Sequence, residues 1–190
     1  MKRTKTGLVI LITAAFAAAG CTSGGLSQDE PGTASPPPPP SDPAMPAVSN
    51  PKNLDAVADP CQLLTSEQLN QLGTGGEPSH RPSPWGQDTC TWDNRVLRVK
   101  LSPSTTMDHG LKSALRSVRK EAPDEQVDGY PMVTTQPLST SCGIYISATS
   151  QDTFVVDVDA TESHRPEHRD TCAVAKQVAS MVLSNLPAKN

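Results

Sequence analysis

Four cysteines set the strongest limit on how this chain can fold. Cys61, Cys90, Cys142 and Cys172 lie in the C-terminal part of a 190-residue sequence. An even number in an exported chain reads as two disulfides, and three connectivities are open. Pairing between sequence neighbours, Cys61–Cys90 and Cys142–Cys172, is favoured, because each bond would join a predicted strand to the predicted helix nearest to it. Each would close a loop of about 30 residues, which is worth roughly 3–4 kcal/mol through the unfolded chain. Ligation of a metal by the same four thiols needs close pairs such as C-x-x-C, and the spacing here offers none.

The fifth cysteine, Cys21, is the reason to expect export. It closes the segment MKRTKTGLVILITAAFAAAGC. Lys2, Arg3 and Lys5 form a basic head, an apolar run follows from Gly7 to Ala19, and Ala18, Ala19 and Gly20 precede the cysteine. That is the layout of a secretory signal. Its apolar run of about 13 residues is too short to span a hydrocarbon core of roughly 30 Å. The ending resembles the lipobox of bacterial lipoproteins, with Ala18 where a larger aliphatic is usual. The resemblance implies cleavage before Cys21, lipid on its thiol and fatty acyl chains such as palmitate, holding the protein on the extracytoplasmic face of the cell membrane. The competing reading is an ordinary secretory signal that happens to end at a cysteine. No arginine pair precedes the apolar run, so the general secretory route is expected.

Cleavage would remove three lysine and arginine charges and take the formal charge from −4 to −7. Aromatics beyond the signal are few: Trp85, Trp92, Tyr130, Tyr145 and Phe154. An acidic body with so few stacking platforms does not suit nucleic acid, and the charge does not suit an anionic lipid surface.

Residues 21–58 read as a lipidated, proline-rich linker behind the signal peptide of residues 1–20. Pro36 to Pro40 is unbroken, and Pro31, Pro43, Pro46 and Pro51 surround it. Such a stretch buries too little apolar area to offset ordering and reads as a spacer. At about 3.1 Å per residue it would reach up to ~100 Å.

Residues 59–190 read as one disulfide-bonded domain. Thr65 and Gln68 have capping-box spacing, and Gly73 ends a short helix. The loop Thr74 to Asp88 reads as plain surface. Around Asp93-Asn94-Arg95, Cys90 and Trp92 on one side and Leu97, Val99 and Leu101 on the other form a hairpin, with Arg98 and Lys100 on its polar face. A helix is expected over Ser104 to Ala122, where Leu111, Leu115 and Val118 recur; its lysines and arginines read as a solvated surface. A strand is expected near Met132 to Gln136. Cys142, Ile144 and Ile146 then alternate, as do Phe154, Val156 and Val158, giving a second hairpin with Asp157 and Asp159 outside. Placed beside Arg98 and Lys100, those aspartates would help set register. The last helix is expected from about Pro166 to Leu186. The order gives α+β: a mainly antiparallel sheet of about five strands, about three helices on its apolar face, and two disulfides.

The sharpest chemical motif is His164-Arg165-Pro166-Glu167-His168, which fits H-x-x-E-H of inverted zinc peptidases. Pro166 puts His164 ahead of the helix, and no third-ligand segment follows, so a polar helix start with exposed histidines is expected instead. No G-x-S-x-G elbow occurs, and paired cysteines leave no thiol nucleophile in the domain. His80 and His109 read as surface residues, and Asp157 with Asp159 as a solvated strand edge.

Several motifs recur in order: D-P-C (Asp59, Pro60, Cys61), C-x-W (Cys90, Trp92), G-x-P (Gly129, Pro131), C-x-I (Cys142, Ile144), and a helix carrying Cys172 that closes at Leu186-Pro187. Together with the lipobox they resemble the actinobacterial lipoproteins catalogued as domain-of-unknown-function family 3558, over roughly residues 59–187. The resemblance implies an envelope lipoprotein and carries no catalytic residues. The expectation is a non-enzymatic module, without metal or cofactor, that binds an envelope protein or other envelope component. One alternative is a carrier or sensor holding a small apolar ligand between sheet and helices. Another is a hydrolase whose active site only folding assembles.

Overall fold

The structure is a computed structural model, and it describes residues 45–84, 86–106, 110–161 and 166–189. The first helix, α1 (Ser66–Leu72), starts at the capping box. The Gln68 backbone N–H donates to Thr65 Oγ1 at 3.2 Å, and the Thr65 N–H donates to Gln68 Oε1 at 2.9 Å. Gly73 ends the helix at φ 69°, in the left-handed region that favours glycine.

Seven antiparallel strands make one sheet: β1 (Ser79–Arg81), β2 (Thr89–Asp93), β3 (Leu97–Ser104), β4 (Glu125–Val127), β5 (Tyr130–Thr134), β6 (Ser141–Ser147) and β7 (Thr153–Ala160). Their spatial order is β1-β2-β3-β7-β6-β5-β4. Both expected hairpins, β2–β3 and β6–β7, are present and join through β3 and β7 at the centre. Val99 faces Val158 and Leu101 faces Val156 across that seam.

The five expected strands become seven through β1 and β4, each three residues long at an edge of the sheet. β1 reads Ser-His-Arg and is exposed throughout. Backbone pairing to β2 makes it a strand, so no apolar alternation announces it. It lies within the loop expected as plain surface. β5 also begins at Tyr130, two residues ahead of the expected start.

The middle helix is shorter than expected. β3 continues through Pro103 to Ser104, whose partner is Thr153, and α2 spans Leu111–Val118 only. Nor do all helices share one face. The last helix, α3 (Thr171–Asn185), packs on β6 and β7 over Ile144, Ile146, Val156 and Val158. α2 packs on β5 and β6 from the other side, where Leu111, Ala114 and Leu115 meet Val133 and Tyr145. Neighbouring strand residues point to opposite faces, so Met132 and Val133 serve the two cores separately. The expected helix start at Pro166 is a 3-10 turn, Pro166–His168; α3 begins after Asp170, whose side chain accepts from the Ala173 N–H at 2.9 Å.

The folded unit also begins before Asp59, which corrects the linker boundary at residue 58. Leu54 is fully buried in the main core, and Val48 and Val57 pack against it. Lys52 forms an antiparallel bridge with Ala188, and the Lys52 N–H donates to Ala148 O at 2.9 Å. Tyr130 Oη donates to Asn50 O at 2.6 Å. Composition hid this because the segment is polar and proline-bearing, while its order comes from backbone pairing with the far end of the chain.

Candidate functional site

The half of the sheet that α2 leaves uncovered carries the most organised polar surface among the described residues. Alternation puts Arg98, Lys100 and Ser102 of β3 beside Asp159, Asp157 and Val155 of β7, in that order. Lys100 Nζ lies 2.7 Å from Asp157 Oδ2. Arg98 Nε lies 2.8 Å from Asp93 Oδ2, and its terminal nitrogen lies 3.9 Å from Asp159 Oδ2. The expected cross-strand charge pairs therefore form. Each is partly solvated, so together they define register and a pattern of donors and acceptors more than stability.

A groove of about 200 Å³ sits at the lower end of this face. Pro82 and Pro84 wall one side, and Thr89, Lys100, Tyr145 and Asp157 reach into it. Thr89 Oγ1 and Ser102 Oγ lie 3.0 Å apart, hydroxyl against hydroxyl. Burial pushes the Tyr145 phenol up from its ordinary range; the Asp157 carboxylate adds to this and the Lys100 ammonium opposes it. Tyr145 therefore stays a neutral donor. At the upper end the Arg95 backbone N–H and the Arg98 guanidinium hold the Asp93 carboxyl below the usual carboxylate range, burial opposing them. Arg98, Ser141 and Asp159 line a second, open hollow of about 390 Å³ there.

Gly143 makes the centre of the face possible. A Cβ there would lie 2.6 Å from Thr135 Oγ1 and 2.8 Å from Asp157 Oδ1. Gly143→Ala must push aside the Thr135 hydroxyl and one oxygen of the Asp157 carboxylate, both ends of side chains that can turn away. We expect a loss of under about 1 kcal/mol in urea unfolding. A loss above about 2 kcal/mol would show that the face is held rigidly.

Both expected disulfides are closed. Cys61 pairs with Cys90 at a Cα separation of 5.2 Å, and Cys142 with Cys172 at 5.1 Å. Cys21, His109, His164 and Trp85 lie outside the described residues. His168 corrects the expectation of an exposed histidine. Its ring is buried, with Nε2 2.9 Å from Leu72 O. It ties the end of α1 to the turn before α3, a role that no pattern in the sequence announces. The groove itself was half legible: positions 98, 100, 157 and 159 announced a polar face, while Tyr145, Thr89 and the Pro82–Pro84 wall reach it only through tertiary packing.

No curated protein and no solved structure matches the chain. The family model described as protein of unknown function (DUF3558) matches residues 16–185. That match begins inside the N-terminal apolar run and takes in Cys21, so it is longer at its N-terminal end than the motifs from Asp59 onward imply. With nearly the whole length matched, the chain belongs to the DUF3558 family.

Proposed function

We propose that this protein is an actinobacterial envelope lipoprotein, anchored by lipid on Cys21 at the extracytoplasmic face of the cell membrane, whose domain is a non-enzymatic interaction module. The observation that carries the reading is the cysteine balance. Two disulfides take four of the five cysteines, and the fifth is Cys21, at the end of the signal-like segment. Disulfides belong to exported chains. The residues between Cys21 and Met45 would act as the tether.

The interaction reading rests on where polar chemistry is displayed. Trp92, Phe154, Ile144, Ile146, Val156 and Val158 fill the space under α3 at 0–1% exposure, which favours a packed support over a carrier of apolar ligands. The polar face alternates cations with carboxylates and adds neutral hydroxyl donors. It suits a partner surface bearing both donors and acceptors rather than a polyanion.

Mass spectrometry of the membrane fraction should find a mature N-terminus at Cys21 carrying acyl mass, and Cys21→Ser should move the protein to the soluble fraction. Each buried methylene contributes about 0.8 kcal/mol, so two or three chains hold the protein nearly permanently. A mature protein that begins elsewhere, or a Cys21→Ser variant that stays membrane-bound, would refute the anchor. For the face, cross-linking on intact cells should capture a partner with the parent and lose it with Lys100→Glu. Identical capture by both would place the interaction elsewhere.

A further inference from the structure

Asp59, Cys61 and His80 converge at the surface end of one disulfide. Asp59 caps the 3-10 turn Pro60–Leu63, and its Oδ1 accepts from the Cys61 N–H at 2.8 Å. His80 is the middle residue of β1 and stands opposite Cys90 in the β1–β2 register. Its ring lies against the bonded Cys61 sulfur, with Nε2 3.4 Å and Nδ1 3.8 Å from Sγ. The same Nδ1 lies 3.8 Å from Asp59 Oδ1. One carboxylate oxygen, one sulfur and one imidazole nitrogen therefore lie within 4.8 Å of one another, the one such trio of metal-ligating groups among the described residues. His80 is exposed and the other two residues are half-buried, so solvent ions reach the cluster.

We propose that the Cys61–Cys90 disulfide gates a zinc site: once it is reduced, the Cys61 thiolate, His80 Nδ1 and Asp59 Oδ1 hold a Zn²⁺ ion. Zinc takes S, N and O ligands tetrahedrally at about 2.0–2.3 Å, which sets neighbouring ligand atoms roughly 3.3–3.6 Å apart. Both separations at Nδ1 are 3.8 Å, a few tenths of an ångström too long, and Oδ1 and Sγ lie within 4.8 Å of each other. The His80 ring, whose Nε2 is the nearer nitrogen to Sγ while the disulfide is closed, must turn to point Nδ1 at the ion. While the disulfide is intact, Cys61 sulfur carries no negative charge and is a poor ligand. Reduction takes two electrons and two protons from a dithiol, which closes to its own cyclic disulfide and leaves two protein thiols. Zinc then displaces the Cys61 thiol proton to solvent. The freed Cys90 thiol, or a water, takes the fourth position. Because zinc binds the reduced form more tightly, its presence pulls the disulfide toward reduction. Nothing comparable surrounds Cys142–Cys172 among the described residues.

The test uses the full chain carrying Cys21→Ser, reduced with a dithiol that is then removed without air, and Zn²⁺ titrated against a chromophoric chelator. The reduced protein should bind one ion, and the oxidised protein should bind at least about tenfold more weakly. His80→Ala, a surface change, and Asp59→Asn, which keeps a side-chain oxygen to cap the 3-10 turn, should each weaken binding in the reduced protein by at least about tenfold, the loss typical even of groups that only orient ligands. Cys90→Ala frees Cys61 without reductant and leaves the second disulfide closed. It should bind zinc in air, and its Co²⁺ form should show thiolate-to-metal absorption that the added His80→Ala change weakens. Equal affinity of the oxidised protein would overturn the gate. Unchanged affinity in both ligand variants, or no binding by Cys90→Ala, would overturn the site.

Discussion

Replacing Cys142 and Cys172 together by alanine is expected to cost about 2–5 kcal/mol, read as a drop in the urea midpoint with a somewhat steeper slope, because the unfolded chain freed of the cross-link exposes more surface. Cys142 lies on the inward face of β6, buried beside Ile144. Cys172 is in the first turn of α3, the helix that covers β6 and β7. The bond therefore fixes the start of the main covering helix to the middle of the sheet. For a domain whose total stability is about 5–15 kcal/mol, the loss is a large share. A loss below about 1 kcal/mol would mean that α3 docks on its apolar stripe alone. The Cys61–Cys90 pair joins a short turn to a strand next to the sheet edge, so the corresponding double variant tests the same chain-entropy effect with less helix at stake.

Leu54→Ala is expected to cost about 2–5 kcal/mol, the range for emptying a fully buried leucine site. Leu54 is fully buried in the main core although it lies in the proline-bearing segment ahead of Asp59. Its carbonyl accepts from Gln87 Nε2 at 2.7 Å, which ties this segment to the loop that walls the polar groove. Beside it, Asn53 N–H donates to Pro187 O at 2.9 Å and Lys189 N–H donates to Pro51 O at 2.8 Å. Thermal unfolding of Leu54→Ala at an unchanged midpoint would return this segment to the tether and shorten the folded unit accordingly.

Local chemistry was enough for much of this molecule. Thr65, Gln68 and Gly73 determine α1 because their partners lie within a few residues. The alternation of Leu97, Val99 and Leu101, and of Phe154, Val156 and Val158, determines two strands and the faces they bury, since a strand's side chains repeat every second residue. Sequence-local cysteine pairing follows in part from the same logic: Cys90 and Cys142 are inward strand positions, and the partner of each, Cys61 in the 3-10 turn Pro60–Leu63 and Cys172 in the first turn of α3, lies nearby in the chain at the edge of the same core. The resemblance to the family was legible in those cysteines, Trp92 and the Asp59-Pro60 start, read in order along the chain, and membership itself rests on the family model's match to residues 16–185.

Tertiary structure alone decided the rest, wherever a residue's partner is distant and its own neighbours carry no pattern. β1 and β4 are strands because β2 and β5 offer them backbone partners; three residues are too few to show a period. α2 went to the opposite face because Val133 and Tyr145 supply a second apolar patch, and an amphipathic helix does not specify which side of a sheet will receive it. Leu54 is interior through the main core, and it and His168 hydrogen-bond with Gln87 and Leu72, 33 and 96 positions away. The polar groove and the Asp59–Cys61–His80 cluster arise in the same way, from loops and edge strands brought together by folding. Burial is a property of the assembled layers, and a single polar or proline-rich segment holds no record of what will cover it.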